Sequence, residues 1–405
     1  MTENTMSELR FCPSFCVTHD CNLSCVYCYQ KHSTGKHMNL EVARQSIDWI
    51  FSHVPDYADS VEIDFIGGEP LLEFSLIKEI VSYVCEKQPD IPFIFFATTN
   101  GTVLDDAMKD WFTAHRSCFC LALSLDGNRI THNHNRCNSF DAIDIDFFLR
   151  NWPDQGVKMT LSEYSLQHLA EDVKYLHSLS INVIDGVNLY EGAFDWDKDE
   201  YITILIPQLA ELVEYYAKND ALHPCQLFDK DLSSCESQTK DRNKWCGIGT
   251  GTHFFDVDGK RYPCSFVTPM TFTQNELDRI LETDFTNDEN FIDDECFNDC
   301  YIYPICPQCI GANYMVNKTF RKRNRSKCRI QKLISLFIAD MEAKRIVKNP
   351  KRYDDTKLYY TIEAIKKIRN AYVGMFEKFY KEVYNDNLCK MHEETESEVG
   401  VSVSI

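Results

Sequence analysis

Basic residues are in short supply in this 405-residue chain: 42 lysines and arginines stand against 62 aspartates and glutamates, a formal charge of −20. So acidic a surface repels a phosphate backbone, which argues against nucleic acid or an anionic membrane as the main partner. No apolar run reaches 18 residues, so no membrane-spanning helix is expected. The opening Met1-Thr2-Glu3-Asn4-Thr5-Met6-Ser7-Glu8 has neither the basic nor the apolar region of a signal peptide, and a cytoplasmic location is expected. Cysteine, by contrast, is plentiful, at 19 residues. A reducing compartment forbids a disulfide framework, which leaves ligation as the expected use of these thiols. With 44% hydrophobic and 26% charged residues the chain is otherwise an ordinary globular sequence, long enough for about two or three domains.

Three of the cysteines fall in one short stretch, Cys21-Asn22-Leu23-Ser24-Cys25-Val26-Tyr27-Cys28. Thiols this close on one loop hold three irons of a cubane and leave the fourth iron open. Cys12 and Cys16, just upstream, sit in an apolar run that reads as a buried strand, so they are expected in the core. Zinc and redox sites also use closely spaced cysteines, and the rest of the chain has to decide between them.

From Phe11 to about Tyr190 short β-rich runs alternate with amphipathic helical ones, the pattern of βα units and a parallel sheet. One strand is expected to end at Thr18, with others at 61–66, 93–98, 119–125, 157–161 and 183–189. Helices are expected at 72–85, 104–114, 141–151 and 167–179, and one capped by Asn39 with Ala43, Ile47, Ile50, Phe51 and Val54 on its apolar face. Six strands and six helices make an α/β fold, a barrel that does not close, whose site lies at the C-terminal strand ends. The motifs follow those ends. Gly67-Gly68-Glu69-Pro70 follows the second strand, Thr98-Thr99-Asn100-Gly101-Thr102 the third, and Ser124-Leu125-Asp126-Gly127 the fourth. Glycines let a backbone approach a ligand, and the Glu69 carboxylate suits an ammonium. By themselves the polar strand ends could equally be Asx turns. His132-Asn133-His134-Asn135-Arg136 comes next, its histidines read as polar loop residues rather than bases.

A second cysteine constellation begins after a bridging helix at about 201–218 and a polar segment with Cys225 and Cys235. Twelve residues separate Cys246 from Gly259, and four more separate Gly259 from Cys264. Alternation around Asp258-Gly259 predicts a hairpin that brings the two thiols together. Cys296, Cys300, Cys306, Cys309 and Cys328 follow. Arg321 to Arg329 is the one basic run, either a solvated face or a countercharge beside a cluster ligand. Beyond Cys328 the chain reads as helical.

On these residues the first loop, with Tyr27 before its third cysteine, resembles the cluster-binding signature of radical S-adenosylmethionine (radical SAM) enzymes. The second constellation resembles the SPASM domain that many of them carry, although its gaps of three, five and two invert the usual two, five and three. Zinc ribbons are the competing identity for it. The resemblance spans roughly residues 10–330 and implies a partial (β/α)6 TIM-like barrel at 1–190, a bridge at 191–245 and a SPASM domain at 246–330; the residues beyond read as C-terminal helices at 331–391 and, from their polar and acidic composition, a disordered tail at 392–405. It also implies a [4Fe-4S] cluster on Cys21, Cys25 and Cys28 and S-adenosyl-L-methionine held by Gly67, Gly68, Glu69, Asn100, Ser124 and Arg136. Two auxiliary [4Fe-4S] clusters complete the implied cofactors. Cys296, Cys300, Cys306 and Cys328 would take the distal one; Cys246, Cys264 and Cys309 the proximal one, with Cys235 or an open iron completing it. The implied activity is reductive cleavage of S-adenosylmethionine to a 5′-deoxyadenosyl radical, which oxidises a ribosomally made precursor peptide, most plausibly to a cysteine thioether. Cys28-Tyr29-Gln30-Lys31-His32 and Tyr301-Ile302-Tyr303-Pro304 are similar to maturases of peptides with repeated Cys-x-x-x units. A reductant such as flavodoxin or ferredoxin is implied as a partner, and the peptide leader is expected to bind a separate protein or the SPASM or C-terminal region. The alternatives are an anaerobic sulfatase-maturating, formylglycine-generating enzyme, which is expected to carry aspartate where this chain has Ser265, and a non-catalytic zinc-binding scaffold.

Overall fold

The computed structural model describes residues 10–31, 35–192, 194–236 and 244–384; His32 and the expected tail at 392–405 lie outside them. In chain order the regular elements begin β1 (Arg10–Thr18), α1 (Leu40–Ser52), β2 (Ser60–Gly67), α2 (Phe74–Lys87), β3 (Phe93–Thr99), α3 (Asp106–His115) and β4 (Phe119–Leu123). They continue with α4 (Arg129–Asn135), α5 (Ile145–Asn151), β5 (Val157–Leu161), α6 (Leu169–Ser178), β6 (Ile184–Leu189) and α7 (Asp199–Lys218). The last are β7 (Thr252–Phe255), β8 (Arg261–Tyr262), α8 (Gln274–Leu281), α9 (Asp294–Asp299), α10 (Ile310–Asn317), α11 (Cys328–Lys348) and α12 (Asp355–Tyr384).

Local chemistry sets the boundaries. Asn39 Oδ1 accepts from the Val42 amide at 2.9 Å and starts α1, which ends at Ser52, so Val54 falls beyond its apolar face. Asp105 does the same for α3, accepting from Met108 N–H at 2.8 Å. The helix expected from 72 starts at Phe74, because Pro70–Glu73 forms a 3₁₀ turn first. Likewise Phe140–Ala142 is a 3₁₀ turn and α5 starts only at Ile145, behind the Asp144 cap. Helix α4 was expected as loop; its seven residues are too few for hydrophobic periodicity to declare themselves.

The chain divides into two compact units. The first joins residues up to Leu125, His132–Lys158 and Cys246–Asn290. Its sheet has the order β4-β3-β2-β1-β7-β8, parallel from β4 through β7. Aromatic side chains run across it: Phe15 stacks on Phe255 at 5.2 Å, Phe65 on Phe95 at 6.1 Å, and Phe65 on Phe119 at 5.8 Å. All five rings are buried, and register puts Phe15 opposite both Phe65 and Phe255. Beyond Leu123 the sheet continues only as one parallel bridge, Ser124 with Lys158, supported by the Leu125 amide on the Lys158 carbonyl at 3.0 Å. All six expected strands form, but not as one continuous ladder: β5 pairs with β6 in a separate two-stranded sheet.

The second unit comprises Asp126–Thr131, Met159–Trp245 and the chain from Phe291 onward. Here α11 packs against both α7 and α12 and buries residues on every side, from Ile330 to Ile346. These units cut across the expected segmentation. Residues 246–290 were grouped with the later cysteines, yet β7 pairs in parallel with β1, Cys12 opposite Thr252 and Phe15 opposite Phe255, which makes the hairpin part of the first unit's sheet.

Candidate radical SAM site and cysteine-lined cavity

The cysteine loop leaves β1 and is clamped from several sides within the first unit. The Cys28 amide donates to the Cys25 carbonyl at 3.1 Å, the Val26 amide to the Asn135 carbonyl at 3.0 Å and the Lys31 amide to the Met270 carbonyl at 3.0 Å. Tyr29 stacks on Phe266 at 4.4 Å. Cys21 and Cys25 are half-buried and Cys28 is exposed, so the thiols lie at the surface of a fixed loop. Burial pushes the Cys21 and Cys28 thiols up, while Arg136 pulls both back; a bound iron removes their protons outright.

Gly67 and Gly68 earn their places through the backbone. A Cβ on Gly67 would stand 2.4 Å from the Thr18 carbonyl oxygen, and one on Gly68 would stand 2.3 Å from that of Asp20 and 2.9 Å from Cys21 Cβ. No side chain fits there. The close approach lets the Gly68 amide donate to Thr18 O at 3.0 Å and the Glu69 amide to Asp20 O at 2.9 Å, so the end of β2 holds the entrance of the cysteine loop. The glycines thus meet protein backbone.

Glu69 is 1% exposed, and its carboxylate accepts from Thr99 Oγ1 at 2.7 Å and Leu71 N–H at 3.1 Å through Oε1, and from Asn100 N–H at 2.8 Å through Oε2. Burial pushes its carboxyl up; the three donors and the Arg136 charge oppose this. Asn100 turns its Nδ2 to Asn22 Oδ1 at 2.8 Å, while Asn22 Nδ2 donates to Thr102 Oγ1 at 2.7 Å. These two bonds tie the cysteine loop to the end of β3. Ser124, half-buried, sets its amide on the Thr99 carbonyl at 2.9 Å. Arg136 is buried at the C-terminal end of α4 and lies over the Tyr27 ring at 5.4 Å, between the second and third cysteines of the loop. Cys21, Cys28, Glu69 and Arg136 are therefore within one another's electrostatic reach. His132 is buried with Nε2 3.1 Å from Ser139 Oγ, a packed helix residue rather than the loop residue expected.

The hairpin forms as expected, with Gly259 at φ +78° in its turn and Phe254 opposite Tyr262. Cys264 is pushed up to about 12 by burial and feels the Cys246 charge, which puts the two thiols near each other. Sequence reasoning missed the strut beside them. His19 Nε2 and Asp256 Oδ1 meet at 2.5 Å in full burial, joining the segment before Cys21 to the hairpin. With Cys16 they form the one three-donor group among the described residues whose donor atoms all lie within 4.8 Å. The signal was legible only as an isolated histidine two residues before the first cysteine.

In the second unit a cavity of about 200 Å³ is lined by Cys296, Cys300, Cys306, Cys309 and Cys328 together with Tyr372 and several basic side chains. Cys296 lies in the first turn of α9 and Cys300 at its C-terminal cap, Cys306 ends a 3₁₀ turn, Cys309 caps α10 and Cys328 opens α11. Four elements thus bring five thiols to the lining of one space. Charge coupling links Cys296, Cys300, Cys306 and Cys328. Cys235 is buried outside this lining, in a 3₁₀ turn within electrostatic reach of Tyr301 and Tyr372. The basic run is paired rather than free: Arg323 lies over the Tyr303 ring at 3.9 Å, Arg325 holds Asp293 and Cys296, Lys327 meets Glu191 at 2.9 Å, and Arg329 meets Asp199 at 2.6 Å. No cysteine among the described residues is in a disulfide. No described helix is long and apolar enough to cross a membrane.

Residues 11–141 match a family described as a 4Fe-4S single cluster domain. The chain is 25% identical over 273 residues to an uncharacterized protein of Methanocaldococcus jannaschii, covering 65% of this chain and 87% of that one. It is 20% identical over 368 residues to the radical SAM cyclopropyl synthase TigE of Paramaledivibacter caminithermalis, covering 84% and 75%. Among solved structures, native anSMEcpe with bound AdoMet and the Cp18Cys peptide superposes with a TM-score of 0.63 at 18% identity, over 84% of this chain and 98% of that chain. Streptococcus suis SuiB bound to the precursor peptide SuiA gives 0.54 at 15% identity, over 78% and 75%. The chain thus has the α/β fold of anSMEcpe and SuiB, with a three-cysteine loop after the first strand of a parallel sheet and a cysteine-rich C-terminal region.

Proposed function

We propose that the chain is a radical SAM enzyme that oxidatively modifies a ribosomally made peptide, joining a cysteine sulfur to a carbon as a thioether. The observation that carries this reading is the convergence of Cys21, Cys28, Glu69 and Arg136 around one loop. Cys21, Cys25 and Cys28 would hold three irons of a cluster, leaving the fourth for S-adenosylmethionine. When bound, the cluster and S-adenosylmethionine would supply a carbon radical able to take a hydrogen atom from the peptide. The residues of the chain bind and orient. Glu69 has three donors on its carboxylate and about one acceptor site left, which suits the cofactor's ammonium. Arg136, steadied by Tyr27, suits its carboxylate. Ser124 and Asn100, at neighbouring strand ends, suit its ribose, and the Gly67-Gly68 contact fixes the loop so that these groups stay in register.

Cys296, Cys300, Cys306 and Cys328 fit a distal auxiliary cluster, in a cavity whose lining they share with Cys309. Cys246, Cys264 and Cys309 would hold the proximal one, with either Cys235 or a substrate thiolate at the remaining iron. Cys235→Ala separates the two: loss of proximal iron makes it a ligand, whereas retained iron with a spectrum that shifts on adding a cysteine peptide makes the site open. A flavodoxin or ferredoxin would deliver electrons, and a separate protein or the C-terminal region would bind the leader.

Formylglycine formation is the second reading, favoured by anSMEcpe, a sulfatase-maturase-like fold, superposing better than SuiB, 0.63 against 0.54. Ser265, where such enzymes are expected to have aspartate, weighs against it. The test is an anaerobic reaction with S-adenosylmethionine, a reductant and the candidate peptide. Release of 5′-deoxyadenosine that stops when Cys21, Cys25 and Cys28 are replaced by alanine supports the radical SAM reading, and its persistence in that variant sinks it. With a cysteine as the target residue, a product that loses a pair of hydrogens, keeps its sulfur and has no alkylatable thiol after reduction is the thioether; exchange of the sulfur for oxygen indicates formylglycine. Zinc in place of iron and sulfide, counted on the same protein, would make the chain a scaffold.

A further inference from the structure

Two side chains other than cysteine reach sulfurs of the cavity that Cys296, Cys300, Cys306 and Cys328 line: Arg325 from the basic run and Tyr372 from α12. Arg325 donates through Nη1 to Cys296 Sγ, and its Nη2 holds both oxygens of Asp293 at 3.0 Å. From the far end of the sequence, α12 brings the Tyr372 hydroxyl to 3.9 Å from Cys300 Sγ. Both donors are held in place. Asp293 is buried and also accepts from the Cys296 and Arg323 amides at 3.1 and 2.8 Å, which fixes the fork of Arg325. Tyr372 is buried, with the Lys332 ammonium 5.3 Å from its ring centroid.

A cubane on four thiolates is an anion, and one added electron makes it more so. A hydrogen bond to a ligand sulfur, or a cation beside it, stabilises the reduced state more than the oxidised one and raises the potential. The nearby acids oppose this weakly: Asp293 holds Arg325, Glu191 holds Lys327 at 2.9 Å, and the Glu295 and Asp299 side chains are exposed. We propose that Arg325 and Tyr372 set the potential of the distal auxiliary cluster and keep it a ready one-electron acceptor. The electron enters from the oxidised peptide radical or from a flavodoxin- or ferredoxin-class reductant, and no bond at the cluster is made or broken. Sulfur tuning is then shared between Arg325, in the turn before Cys328, and Tyr372 on α12. This inference rests on the proposed reading of these cysteines as cluster ligands.

The experiment uses the chain with Cys21, Cys25 and Cys28 replaced by alanine, so that only auxiliary clusters give a signal, reconstituted anaerobically with iron and sulfide. Midpoint potentials come from a titration followed by electron paramagnetic resonance. Tyr372→Phe keeps the ring and its packing and removes only the hydroxyl. It should leave iron and sulfide per chain unchanged and make reduction of one cluster roughly ten-fold less favourable, about 59 mV more negative for a one-electron couple. Arg325→Lys keeps the charge, loses the fork, and should move the same midpoint in the same direction. Unmoved midpoints in both variants overturn the inference. If replacing Cys296, Cys300, Cys306 and Cys328 by alanine costs the parent no iron, the cluster assignment beneath it is wrong instead.

Discussion

Glu69 and Asp172 are both buried carboxylic acids, and their partners separate them. Glu69 accepts three hydrogen bonds, so its charge is compensated. Glu69→Gln puts an amide donor against one of those donors, and should cost about 1–3 kcal/mol in a denaturant titration as well as weakening S-adenosylmethionine binding. Unchanged stability would mean that the carboxylate is not bound as described. Asp172 accepts the Asn128 amide at 2.9 Å, lies against Gly127 and Thr131, and is pushed up to about 7, chiefly by burial. Its acid is ordinary in the unfolded chain, near 3.9, so between these values the native state binds the extra proton and stability falls as pH rises from about 4 through 7. Asp172→Asn should therefore unfold at higher denaturant than the parent at pH 8, with the gap closing towards pH 4. Equal midpoints at both pH values would refute the buried charge.

At the scale of elements, β1 is the piece on which the site depends. Its two edges carry β2 and β7, and its end enters the cysteine loop. Replacing a ring in its aromatic row tests the sheet: Phe65→Ala should cost about 3–5 kcal/mol in unfolding free energy. Gly68→Ala tests the loop, because the new Cβ would displace the Asp20 backbone or Cys21. Iron bound by the first loop, and S-adenosylmethionine cleavage with it, should fall sharply while the fold persists; full iron loading would show that the close contact is dispensable. The glycines were legible in the sequence as a close approach. Their partner was not, because nothing local announces that β2 will end beside Thr18 and Asp20.

Over the whole molecule, the cysteines divide between two compact units, with Cys21, Cys25, Cys28, Cys246 and Cys264 in one and Cys296, Cys300, Cys306, Cys309 and Cys328 in the other. Alanine at Cys296, Cys300, Cys306 and Cys328 should remove one cluster's iron and leave cleavage of S-adenosylmethionine intact. Alanine at Cys21, Cys25 and Cys28 should remove another cluster's iron and abolish it. Iron analysis and 5′-deoxyadenosine release on the two variants decide this, and a common loss in both would mean that the units do not load independently.

What the sequence determined is what depends on near neighbours along the chain. Alternation placed every strand of β1 to β6 within two residues at either end, Asn39 announced a helix, Asp258-Gly259 announced a hairpin, and the spacing of Cys21, Cys25 and Cys28 put three thiols on one loop. Tertiary structure decided the rest, because pairing at long range has no local signature. It sent the hairpin to the edge of β1, set His19 against Asp256 across 237 positions, and brought Tyr372 to Cys300 across 72. Those contacts are chosen by which buried surfaces and polar groups satisfy one another once the chain is compact, a condition that only the folded whole imposes.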